Sequence, residues 1–151
     1  MTRLILAMVL VLMALPGWAM NDDIVKVRAS GDVASTMDAL EAAVTAAGAT
    51  VFARVDHGAG AEAVGMDLRP AELLIFGNPK LGTPAMQDNP VAGLYLPLKV
   101  LVYRDGAGQV WLAYEDPREM LEDLGGIAPD AGYIEMMTGA LAKLTAKAAG
   151  G

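Results

Sequence analysis

The chain has no cysteine. That excludes disulfide staples, so in an oxidising compartment packing alone supplies stability. It also excludes thiol nucleophiles, thiolate metal sites, covalent haem attachment and a lipid-anchored cysteine. Histidine occurs once, as His57, and serine only as Ser30 and Ser35. Neither serine sits in a nucleophile elbow, which argues against a serine hydrolase. Basic residues are few: 11 against 18 acidic, a net charge of −7. Such a chain repels phosphate backbones and anionic lipid surfaces, so nucleic acid is not an expected partner. Long apolar runs are absent except for one, Leu4 to Leu15.

That one run reads as an export leader. Arg3 is a positive n-region, Leu4 to Leu15 an apolar h-region, and Pro16 breaks the helix. Gly17 and Ala19 place small residues where a signal peptidase reads. A spanning helix needs about 20 apolar residues, so removal after Ala19 is expected, and with it a periplasmic or extracellular location. Residues 20–151 then form one domain with no further membrane span.

Alternation and helical spacing give an outline. Ile24, Lys26 and Arg28 alternate with Val25, Val27 and Ala29 in a half-exposed first strand. Asp32 caps a helix whose apolar stripe is Val33, Met37, Leu40, Val44 and Ala47, and Gly48 ends it. Thr50 to Asp56 is a second strand, followed by a Gly/Ala-rich loop or short turn from His57 to Gly65. Ala71 to Phe76 is a third strand. Its run Leu73-Leu74-Ile75-Phe76 is apolar on both faces, which predicts burial in mid-sheet. Gly77 to Pro90 reads as an ordered loop with at most one helical turn, begun at Pro84. Leu96 to Tyr103 and Val110 to Tyr114 are strands joined by an Asp105-Gly106 turn. Asp116-Pro117 starts a short helix, and Asp130 opens the last one, with Ile134, Met137, Leu141 and Leu144 as its stripe. The order β-α-β-β-β-β-α-α predicts an α+β fold of two layers: a mostly antiparallel five-stranded sheet with helices on one face.

Arg54, His57, Gly60 and Ala63, then LRPAELLIFGNPKLGTPAMQ (residues 68–87), LPLKVLVYRD and VWLAYEDP carry a likeness. Over residues 22–148 the chain resembles the family catalogued as domain of unknown function 302. The resemblance implies a compact α+β domain and carries no assigned catalytic or binding residue.

The candidate ligand-binding residues are His57, Asn78, Lys80, Thr83, Arg69 and Met86. His57 is the one imidazole, and the proline-bracketed loop brings Asn78, Lys80 and Thr83 together, with backbone N–H groups to form a nest. The sequence reading places His57 and this loop around one hollow. The bland alternative is turn chemistry: Asn before Pro starts turns, Thr bonds backbone, and Lys80 is solvated. Arg54, Arg69 and Glu72 line the same hollow or form a surface ion pair. The spacing GxxxxGK[ST] is absent, so no phosphate loop is expected. The ten methionines form no MxxM pattern and read as core filler, so no metal or cofactor is expected. No residue is assigned a catalytic role. Three functions stay open. The first is a module binding a small molecule, anionic or lipid-like. The second is an assembly protein pairing through a sheet edge or the Trp111 face. The third is an enzyme with His57 as general base and Lys80 or loop amides stabilising charge.

Overall fold

The computed structural model describes residues 23–150. The leader expected over residues 1–19 lies outside the described residues. Five strands form one sheet: β1 (Ile24–Arg28), β2 (Thr50–Asp56), β3 (Ala71–Gly77), β4 (Leu98–Arg104) and β5 (Val110–Glu115). Their spatial order is β1-β5-β4-β3-β2, and every neighbouring pair is antiparallel. The helices are α1 (Val33–Ala46), α2 (His57–Ala63), α3 (Pro79–Asp88), α4 (Pro117–Glu122) and α5 (Gly132–Ala148). The α+β class and the five-stranded antiparallel sheet agree with the expectation. Two helices, α2 and α3, interrupt the expected strand-to-strand order.

The capping chemistry explains where helices begin. Asp32 accepts a hydrogen bond from the Ser35 N–H at 2.8 Å and starts α1. Val33, Met37, Leu40 and Val44 are buried along one stripe, as their spacing requires. Gly48 then turns the chain at φ +74°, a conformation that costs glycine nothing. Asp116 caps α4 through the Arg118 N–H, with Pro117 in the first turn. The last helix differs from expectation. Its cap position is Ala131, with no side-chain capping bond, and Asp130 stands one residue outside.

The sheet has an inner face against the helices and an outer face without them. On the inner face Leu74, Phe76, Leu98, Val100, Val102, Val110 and Leu112 are buried with Met37, Leu40, Ile134, Met137 and Leu141 of α1 and α5. The alternate residues, Leu73 and Ile75 on β3 and Leu101 on β4, stay half-exposed. Burial of the Leu73–Phe76 run on both sides is therefore corrected. Leu74 and Phe76 face the helices, and Leu73 and Ile75 face outward, because α1 and α5 both lie on one side. Trp111 falls on this outer face, as its alternation with Val110 and Leu112 implied.

At the sheet edge, Arg54 ties β2 and β3 to α1. Its guanidinium donates to Glu72 and Asp38 at 2.6 Å each and to Glu41 at 3.3 Å. These hydrogen bonds, Glu72 first, push the Arg54 pKa above its ordinary value. Arg69 takes no part in this cluster. Among the described residues, no helix is long and apolar enough to cross a membrane.

Candidate binding pocket

The segment expected to be a loop is mostly helix. Asn78 sits in extended conformation and its Oδ1 accepts the Lys80 N–H at 3.0 Å. Pro79 occupies the first turn, where a missing N–H costs nothing. The helix therefore begins at Pro79, not Pro84. Pro84 lies inside α3, where it deprives the Lys80 carbonyl of its usual donor four residues on. Asn89 ends α3 and caps the 3-10 turn Pro90–Leu94, and its side chain also donates to the Gly125 carbonyl at 2.8 Å.

Between α3 and the end of the sheet lies a cavity of about 290 Å3. Its walls are Phe52 from β2, Gly77 at the end of β3, Leu81, Gly82 and Met86 from α3, Leu96, Pro97 and Leu98 entering β4, and Met137 from α5. The register explains why these meet: Thr50 pairs with Gly77 and Phe76 with Leu98, so the start of β2, the end of β3 and the start of β4 share one end of the sheet. A register shift between Val51 and Ala53 marks a bulge at Phe52. The Phe52 side chain, 57% exposed, reaches toward Gly77, where an added Cβ would touch its ring at 3.5 Å. The walls are hydrocarbon, thioether and one aromatic ring. The polar side chains among them are Asn78 and Thr83. The Asn78 oxygen is used by its cap, and its amide N–H2 has no protein partner among the described residues.

Three of the six candidate residues meet here: Asn78, Thr83 and Met86. Lys80 is exposed in the first turn of α3 and does not line the cavity. His57 is at the far end of the sheet. Asp56, just before it, pairs with Glu72, whereas Gly77 pairs with Thr50 at the other end. Strands rise about 3.3 Å per residue, so roughly 20 Å separates the two ends of β2. The shared hollow of His57 and the 77–86 segment is corrected accordingly. His57 is exposed in the first turn of α2, which Asp56 caps through the Ala59 N–H at 2.8 Å. Arg69 lies in the stretch between α2 and β3, where its charge acts on Asp105. The sequence reading did not single out Phe52, Leu96 or Met137 as site residues. Phe52 carried a signal, a large aromatic in a strand position alternating with Val51 and Ala53.

The described residues show no grouping of three or more His, Asp or Glu side chains fit to hold a metal ion. Elsewhere, two polar contacts anchor loops. Asp105 accepts the Trp111 indole N–H at 2.8 Å and the Ala107 and Gln109 N–H groups at 2.9 Å each. The Trp111 bond is the main reason its carboxyl is held below the usual range. Tyr133 of α5 donates to Asp88 at the end of α3 at 2.8 Å. Burial, then this bond, pushes its phenol up to about 12.

The family described as domain of unknown function DUF302 matches residues 25–144. The crystal structure of an uncharacterised conserved DUF302 protein from Bacillus stearothermophilus shares the fold. Its TM-score is 0.76 at 20% identity, over 84% of this chain and 98% of that one. Curated relatives include the fluoride-specific ion channel FluC 1 of Brucella suis, 42% identical over 120 residues, covering 79% of this chain and 47% of that protein. FluC 2 of Brucella melitensis is 42% identical over the same length, covering 44% of that protein. The chain thus spans about half the length of the curated relatives it matches.

Proposed function

The chain belongs to the DUF302 family, and we propose that it is an exported binding module whose cavity beside α3 takes a small apolar molecule or the apolar end of an amphipathic one. The observation that carries this reading is the lining: Phe52, Leu81, Met86, Leu96, Pro97 and Met137 around about 290 Å3. That volume lies just below the range of drug-sized ligand sites, about 300–1,000 Å3, and suits a small guest. Thioether side chains adapt to differently shaped guests. A polar head group would lie toward Asn78 and Thr83, with the Asn78 amide as donor. The lipid-like half of the ligand class is favoured over the anionic half, because Lys80 is exposed and no charged side chain lines the cavity. Ion conduction, the activity in the names of the Brucella relatives, is no part of this reading, since less than half of either protein is matched.

The test is a thermal-shift series with straight-chain alcohols and carboxylic acids from hexyl to dodecyl. A ligand at one hundred times its dissociation constant stabilises the fold by about 2.7 kcal/mol. A rise in Tm that peaks at one chain length supports the reading. A series without any rise rejects it.

A further inference from the structure

Two methionines line the cavity, Met86 from α3 and Met137 from α5. They differ in exposure: Met137 is 1% exposed and Met86 is 39% exposed. Met86 is therefore an outer part of the wall, one side chain shared between the hollow and solvent. Its neighbours fix how it lies. A Cβ added at Gly93, in the 3-10 turn, would stand 3.4 Å from Met86 Sδ, and one added at Gly82 would stand 3.9 Å from Met86 Cε. The sulfur rests beside Gly93, and the methyl turns toward Gly82, which is itself wall. The other lining side chains are hydrocarbon, one aromatic ring, an amide and a hydroxyl. A mild oxidant attacks only the two thioethers, and of these only Met86 is open to solvent.

We propose that Met86 is an oxidation site whose conversion to the sulfoxide switches off binding in the cavity. This rests on the reading of the cavity as an apolar binding site. The oxidant is a peroxide. An Sδ lone pair attacks one oxygen of hydrogen peroxide, and the S–O bond forms as the O–O bond breaks. The departing hydroxide takes the proton left on the transferred oxygen. Sulfur loses two electrons, and the products are the sulfoxide and one water. A sulfoxide reductase supplied with a dithiol restores the thioether, releasing the oxygen as water and leaving a disulfide. The new oxygen has two places to go, and both weaken binding. Held in the apolar wall, it lacks a donor, and an unpaired polar atom beside an alkyl guest costs free energy. Turned out to water, it draws the sulfur and methyl away from Gly82 and leaves the guest without that part of its wall. Met137 is covered and keeps its thioether, so the core beneath the cavity stays intact. Met66 at 67% and Met136 at 54% are more exposed than Met86, and neither lines the cavity. They oxidise as well, with no effect on the guest, and serve as internal references.

The experiment uses the full chain and the member of the hexyl-to-dodecyl alcohol and acid series with the largest thermal shift. Its dissociation constant is measured before and after graded hydrogen peroxide, with sulfoxide at each methionine read by peptide mass spectrometry and the fold by circular dichroism. The constant is expected to rise at least tenfold, in step with Met86 sulfoxide and at unchanged circular dichroism. Methionine sulfoxide reductases for both epimers, with dithiothreitol, should reverse the rise. Met86→Leu has an affinity of its own, and peroxide should leave that value where it was. An unchanged constant at full Met86 oxidation overturns the proposal. So does a Met86 that stays reduced while Met66 and Met136 are fully oxidised, a loss that follows either of those two instead, or a loss accompanied by unfolding. Should Met86→Leu fail to fold or to bind, the double variant Met66→Leu/Met136→Leu decides: it must keep the parent's sensitivity to peroxide, and losing it overturns the assignment to Met86. A chain that binds no member of the series before peroxide is a separate failure, which rejects the cavity as an apolar site and the switch with it.

Discussion

Gly82 offers a perturbation whose two effects run in opposite directions. It is an interior residue of α3 and also a wall of the cavity. A Cβ added there meets Leu96 Cδ1 at 3.6 Å and Met86 Cε at 3.9 Å, ordinary contact distances with no overlap. Glycine costs a helix interior about 0.8–1 kcal/mol relative to alanine. Gly82→Ala therefore stabilises the fold by about 1 kcal/mol. For a domain of this size that is a Tm rise of about 3–5 °C. The same methyl points into the hollow and removes a small part of it. Gly82→Leu extends an isobutyl group into the space a ligand would occupy, while leucine remains a good helix former. The pair predicts a graded outcome: Gly82→Ala melts higher and binds slightly less, and Gly82→Leu folds but binds nothing.

The assays are a urea or thermal melt and titration with whichever alkyl ligand gives the largest shift. A Gly82→Ala variant that melts lower than the parent would refute the placement of this residue in an unstrained helix facing open space. A Gly82→Leu variant that binds with parental affinity would refute the cavity as the binding site and leave the helix argument intact. The two failures are separable, because stability is read without ligand.

Other expectations rest on other contacts. Asp105 has a lowered pKa in the fold, so its stabilisation is fully present above the ordinary carboxylate value of about 3.9 and is lost as pH falls through the folded value; an Asp105→Ala variant should show a shallower loss of stability from pH 5 to 2, followed by thermal melts with Trp111 fluorescence as probe. Tyr133 holds its proton up to about 12, so the unfolded chain ionises first and stability should fall as pH rises from about 10 to 12. Tyr133→Phe should remove the highest tyrosine step from an ultraviolet titration and cost about 1 kcal/mol in urea, the worth of one hydrogen bond. Arg54→Ala should cost about 1 kcal/mol, less in high salt, because the cluster is partly solvated at 30% exposure of the Arg54 side chain; a salt-independent loss would count against the ion cluster.

The parts of the fold legible in the sequence are those decided by neighbouring residues. Period-two alternation set Trp111 on the face opposite Val110 and Leu112, and helical spacing placed Met37 and Leu40 in the core. What escaped was α3. Its signals conflict: Asn78 and Pro79 form a good helix start, but Gly82 and Pro84 are helix breakers by propensity. Packing of Leu81 and Ala85 against the core, together with the Asn78 cap, overrides that local cost. The outward apolar residues of β3 misled in another way. A run of four apolar residues signals two covered faces, and only within the assembled sheet does one of them emerge uncovered.

The separation of His57 from the 77–86 segment, by contrast, follows from the topology that the sequence itself implies. If β2 and β3 are adjacent and antiparallel, the residue leaving β2 and the residue leaving β3 must stand at opposite ends of the pair. His57 leaves β2, and Asn78 leaves β3. No contact detail is needed: direction of travel alone forbids a common hollow smaller than a strand's length, about 20 Å. The same rule predicts what does meet. The end of β3 must lie beside the start of β2 and the start of β4, which brings Phe52 and Pro97 to Gly77. Residue chemistry suggested a polar site around an imidazole, and chain direction assembles an apolar one around an aromatic ring. At this end of the sheet connectivity outranks residue type in deciding what the cavity can hold.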